Sequence, residues 1–225
     1  MAAACLAASG LLAGCASAPS GPPASPGSPP WRLAPQDLGT QRLFRVRYDG
    51  ESGRGSGRLT LYLESPARYE LAAADAFGSP LWSLRAEGGA GLFVEPRARR
   101  ACRIAGSVDL PELPLAPLPL AAVPALLLGR LPVDPDDAAV TAEGELRDSR
   151  ARRFTFSAAE GRVSAWTLWE GDQPVLWWRG GGDEAVLSAR AGGYQLRWRE
   201  VAREPLRRPP ADTRLPEGYA LESCP

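Results

Sequence analysis

The chain has 225 residues, enough for one good-sized domain or two small ones, and its 26 basic residues are matched by 26 acidic ones. A net charge of zero offers no basic field to nucleic acid. Histidine, lysine and asparagine are absent from the whole sequence, which excludes Ser-His-Asp and Cys-His catalysis, His-ligated zinc, Schiff-base lysine and a P-loop lysine; the chain reads as a non-enzyme that needs no metal or cofactor.

The first stretch, MAAACLAASGLLAGC, is apolar and small and closes on Leu12-Ala13-Gly14-Cys15. It resembles a bacterial lipobox, in which the Cys is diacylated and becomes the first residue after cleavage. An apolar run closing on small residues is a signal peptide, and this one is shorter than the roughly 20 residues that cross a bilayer. Residues 1–14 are therefore expected to be removed, with Cys5, and Cys15 to carry the lipid. Several acyl chains, at about 0.8 kcal/mol per buried CH₂, anchor a protein in effect permanently. Ala16, in place of an inner-membrane-retaining Asp, predicts export to the periplasmic face of the outer membrane. The Pro/Ser/Gly-rich residues that follow have no apolar periodicity, so 15–40 are expected to form an extended tether.

From residue 41 apolar and polar residues alternate with period two. Phe44, Val46 and Tyr48 alternate with arginines, and Leu59, Leu61 and Leu63 follow a Gly-rich turn. Tyr69, Leu71 and Ala73 come next, then Trp82, Leu84 and Ala86, then Leu92 and Val94, then Cys102 and Ile104. Such alternation predicts strands with one wet and one buried face, and the short turns predict an antiparallel meander. One turn, DAFGSP, carries Phe77 beside Gly78, where a polar residue is the ordinary choice. Phe77 either protrudes or folds back on Leu81 or Trp82.

The centre, residues 109–132, is rich in Leu and Pro. Proline recurs too often for one long helix, so a short helix over Pro124–Leu128 with Gly129 near its C-cap is expected. Being apolar all round, it must bury itself, and the concave face of the sheet is the available place. Strands resume at Val140, with Phe154 and Phe156 on one face, and a Trp-rich hairpin around Gly171-Asp172 contains Trp166, Trp169, Trp177 and Trp178. The run ending in Tyr194, Leu196 and Trp198 closes the sheet. About eleven strands and one short helix predict a mostly β fold: a curved antiparallel sheet forming a half-open, unclosed β-barrel with a helical plug. Residues 41–202 form this domain, and 203–225 an irregular tail.

Cys102 and Cys224 remain in an oxidising compartment. They either bridge, tying the tail to a mid-chain strand, or stay as two buried thiols. Acidic pairs such as Glu143 with Glu145, or Asp136 with Asp137, would suit a carboxylate-based glycan hydrolase, but adjacent loop acids are ordinarily solvated surface.

The order of parts, the text RLTLYLESPARYELAAADAFGSPLWSLRAEGG (58–89) and LPLAAVPALLLGRLP (118–132) resemble the lipoprotein-localisation family of LolB and its LolA-like relatives. The resemblance covers roughly residues 40–200. It implies an outer-membrane receptor that takes a lipoprotein's acyl chains into an apolar cavity from a periplasmic LolA-like carrier and helps insert them, itself a monomer held to the membrane by its own lipid. It implies that the protruding apolar residue of the turn, here Phe77, enters the membrane. The inward alternates are the cavity candidates: Phe44, Val46, Leu59, Leu61, Tyr69, Leu71, Trp82, Leu84, Leu92, Phe154, Phe156 and Trp169. The alternative function is a non-catalytic structural or assembly lipoprotein of an envelope-biogenesis complex, with the concave face filled.

Overall fold

A computed structural model describes residue 29 and residues 31–51, 53–108, 118–133, 139–140, 145–147, 152–159, 162–181 and 184–224. Cys5, Cys15, Ala16, Asp136, Asp137 and Glu143 lie outside the described residues. The alternating sequence produces two antiparallel meanders. The first contains β1 (Thr40–Gly50), β2 (Gly53–Ser65), β3 (Arg68–Asp75), β4 (Pro80–Glu87), β5 (Ala90–Glu95) and β6 (Arg100–Ala105). After it, β7 (Ser107–Val108) and β8 (Leu118–Pro119) pair as a small separate sheet, leading into a 3₁₀ turn at Leu120–Ala122 and the single α-helix α1 (Val123–Leu127). The second meander contains β9 (Ala139–Val140), β10 (Leu146–Arg147), β11 (Arg153–Ala159), β12 (Arg162–Glu170), β13 (Gln173–Gly181), β14 (Glu184–Ala189) and β15 (Gln195–Pro205), and β16 (Ala220–Glu222) ends the chain.

Pairing of β1 with β15 joins the two meanders into one 14-stranded sheet, ordered β16-β6-β5-β4-β3-β2-β1-β15-β14-β13-β12-β11-β10-β9. The terminal strands β16 and β9 do not pair, so the curved sheet stays open, and the fold is mostly β with one short helix. The strands beyond the eleven expected are pieces of two or three residues, too short to show periodicity.

Register carries the apolar residues into one face. Leu61 stands opposite Leu71, Leu71 opposite Leu84, and Leu84 opposite Phe93. In the other half Leu196, Leu187, Trp178, Trp166 and Phe156 follow one another from strand to strand. Most of these side chains are buried, and each contributes about 1.5–3 kcal/mol.

The plug lies where its sequence demands. All five residues of α1 are buried, as are Leu120 and Ala122. Two buried hydrogen bonds pin it to both meanders: Tyr69 Oη donates to the Leu120 carbonyl (2.8 Å), and Trp198 Nε1 to the Leu127 carbonyl (3.0 Å). Burial pushes the Tyr69 hydroxyl far above its ordinary range, so it remains a donor. The helix ends at Leu127, one residue before the expected Leu128, and Gly129 follows the cap with a left-handed φ of 70°, where a Cβ would meet Trp178 at 3.0 Å.

Two boundaries differ from expectation. The tether does not reach residue 40: Trp31 enters the main core, and a 3₁₀ turn at Pro35–Asp37 precedes β1. Buried Arg42 ties that turn to the sheet, through Asp37 at 2.6 Å and Glu200 at 2.9 Å. β15 runs to Pro205, past 202. The tail then crosses the outer face of the first meander. Arg208 reaches the largely buried Glu70 carboxylate at 2.9 Å and stacks over the Tyr62 ring, and Glu70 also accepts from the Ala211 N–H. β16 pairs in parallel with β6, and Cys102 and Cys224 are disulfide-bonded, with Cα atoms 5.1 Å apart.

Candidate functional site

Between plug and sheet lies an apolar cavity of about 180 Å³. Val46, Leu59, Leu71, Trp82 and Phe93 form its floor, Leu196 and Trp198 one side, and Val123, Leu126 and Leu127 its roof. Apolar surface dominates the lining, so the space suits an apolar guest. Its outer residues, Ser56, Gly57, Arg58, Ala74 and Leu81, sit at strand ends beside the β3–β4 turn. The cavity therefore opens at the rim that carries Phe77.

That turn is constructed to present its aromatic. The Asp75 carboxylate accepts the backbone N–H of Phe77 (3.0 Å) and of Ser79 (2.9 Å), and Arg97 pairs with it at 2.8 Å. The Ser79 N–H, then Arg97 and the Phe77 N–H, hold the Asp75 carboxyl below its ordinary range. Gly78, at φ 88°, supplies the left-handed step. Phe77 is 96% exposed and does not fold back; Trp82 stacks instead on Phe93, with ring centroids 5.6 Å apart.

Of the expected cavity residues, Val46, Leu59, Leu71 and Trp82 line the space. Phe44, Leu61, Tyr69 and Leu84 face the same way but belong to the packed core. Phe154 and Phe156 lie in the second meander, packed in the core: Phe154 meets Trp166 edge-on, and Trp166 stacks on Trp178.

Two assignments are corrected. Leu92 faces outward, where it clusters with Val94 and Ala101 under Tyr219 of the tail. β5 is apolar at three successive positions because both of its faces are covered, so alternation could not tell them apart; the inward residues are Phe93 and Gly91, the latter against Leu120. Trp169 is also outside. Alternation along β12 puts Trp169 on the face opposite Trp166 and Leu168, where it lies under the Arg153 guanidinium and donates to Thr155 Oγ1 (3.0 Å). Trp166 and Leu168 take the inward places.

The sequence reading missed the plug residues and Phe93 as walls, and left Tyr194, Leu196 and Trp198 out of the cavity although their alternation was plain. Glu145 is paired with Arg153 at 3.3 Å. Among the described residues no group of three or more Cys, Asp or Glu is placed to hold a metal ion.

No protein-family model matches the chain. No curated protein matches it either. Among solved structures it is similar to a LolA superfamily protein from Nitrosomonas europaea, at a TM-score of 0.54 and 10% identity over 80% of this chain and 90% of that one. It is also similar to a putative outer membrane lipoprotein-sorting protein domain from Vibrio parahaemolyticus (TM-score 0.48, 8% identity, covering 73% and 84%). At these identities the likeness is one of fold, and the chain shares the open β-barrel architecture of the LolA superfamily protein.

Proposed function

We propose that this protein is an outer-membrane-anchored receptor that binds the acyl chains of lipoproteins in its apolar cavity and helps insert them into the outer membrane. One observation carries the reading: a largely apolar cavity lies beside the turn from which Phe77 projects into solvent. An aromatic held at a turn tip is at home in the bilayer interface, and a cavity mouth beside it gives a guest a short path between protein and membrane. The lipid on Cys15 would hold the domain at the periplasmic face. No energy source is required if the guest moves from a weaker cavity, in a LolA-like carrier, to this one and then to the bilayer.

The cavity volume refines the mechanism. A void of about 150 Å³ accepts benzene, so 180 Å³ holds a short apolar segment and not several whole chains. Deeper entry requires the plug to yield, and the plug is held by hydrogen bonds from Tyr69 and Trp198. The test is transfer of a labelled lipoprotein from its periplasmic carrier to the chain lacking residues 1–15. Transfer that saturates one-to-one is expected; none, with a folded sample, overturns the reading.

The aromatic packing of the second meander favours a second reading, a non-catalytic assembly scaffold that binds protein on its outer face. A defined protein partner in a pull-down, with no lipid in the native mass spectrum, would select it.

A further inference from the structure

The outer face of the sheet where β2, β1 and β15 meet is an arginine lattice. Arg45 stands directly opposite Arg58 on one side and Arg199 on the other. Arg47 stands opposite Arg197, and Arg179 continues that row through Val186. All six are exposed. Arg197 lies 3.9 Å from Glu184. The other five form no hydrogen bond or ion pair with the described residues.

Like charges directly opposite across a ladder destabilise a sheet. A chain of zero net charge has nonetheless collected them on one face. A cleft of about 280 Å³, lined by Arg47, Arg197 and the Arg54–Asp49 ion pair (2.9 Å), lies beside the lattice. Two exposed aromatics flank the lattice in the register of the sheet. Trp177 projects from β13 on this face, in the row of Ser188, Gln195 and Asp49. Phe77 projects from the end of the barrel where the lattice begins.

We propose that this face docks on a bilayer whose head groups carry anionic phosphate. Guanidinium forks match phosphate oxygens, and strands about 4.8 Å apart space them as an array. An array suits a surface of many phosphates better than one small ligand. Aromatics at the border of the charge are the residues that settle at the depth of lipid head groups, and this favours a membrane over an acidic protein. The proposal does not depend on what the cavity binds, and the lipoprotein-transfer assay does not enter its test.

The test uses the full lipidated chain, anchored in vesicles, and arginine modification by phenylglyoxal read peptide by peptide in a mass spectrometer. In vesicles of phosphatidylcholine with phosphatidylglycerol, Arg45, Arg58, Arg179 and Arg199 should be labelled about tenfold more slowly than in phosphatidylcholine alone, little more than one arginine's attraction to an anionic surface. Salt should erase the difference. Buried Arg42 should stay unlabelled throughout and reports that the protein is folded. In the double variant R45E/R199E, Arg58 and Arg179 should lose their protection. Equal labelling in the two kinds of vesicle overturns the proposal, as does protection that survives the double variant. Protection by inorganic pyrophosphate in neutral vesicles would assign the lattice to a soluble phosphate ligand instead and would likewise overturn the membrane assignment.

Discussion

Replacing Leu126 with Ala tests the cavity and its roof together. Leu126 is 3% exposed, packs in the main core and faces the cavity with part of its surface. Truncating a buried Leu costs about 2–5 kcal/mol. Here the low end, ~2–3 kcal/mol, is expected, because one side of the residue already meets empty space and has fewer contacts to lose. The removed Cγ and both Cδ atoms become room for a guest. At about 0.8 kcal/mol per added buried carbon, this gains ~2.4 kcal/mol for a chain long enough to fill it, or roughly 50-fold in affinity. Titration calorimetry with octanol measures the second effect and denaturant unfolding the first. The two are linked: octanol at about 100 times its Kd restores ~2.7 kcal/mol of stability to the variant. Octanol binding that is no tighter in L126A, in a sample that unfolds cooperatively, would show that this space does not receive apolar chains.

Phe77→Ser should leave stability within about 0.5 kcal/mol, since the ring touches little, while penetration of a lipid monolayer falls by roughly ten- to a hundredfold, the worth of one buried Phe. The double variant C102S/C224S releases a loop with a sequence separation of 122, worth about 4–5 kcal/mol in the chain-entropy model; comparing its unfolding free energy with that of the oxidised parent checks this. Asp75 titrates below its ordinary value of 3.8 because the folded turn favours its charged form. Its contribution is therefore present above the unfolded pKa and lost as pH falls through the folded one. Amide exchange at Phe77 and Ser79 should accelerate in that acid window, and Asp75→Ala should exchange fast at every pH.

Local pattern carried most of the architecture. Period-two alternation marked the long strands, and proline recurrence with apolarity on all sides fixed a short buried helix. A turn made of Asp75, Gly78 and Ser79 around Phe77 left the aromatic no polar reason to be there. Each of these follows from the backbone and nearest neighbours, so each is written in the sequence. Tertiary structure decided which side of a doubly covered strand faces inward, as at Leu92 and Phe93, and which set of alternating tryptophans in the hairpin turns inward, Trp166 and not Trp169. It also recruited Trp31 from the expected tether. Above all it set how much space remains under the plug, because volume is the difference between what the sheet encloses and what side chains from distant segments fill. No single segment contains that difference.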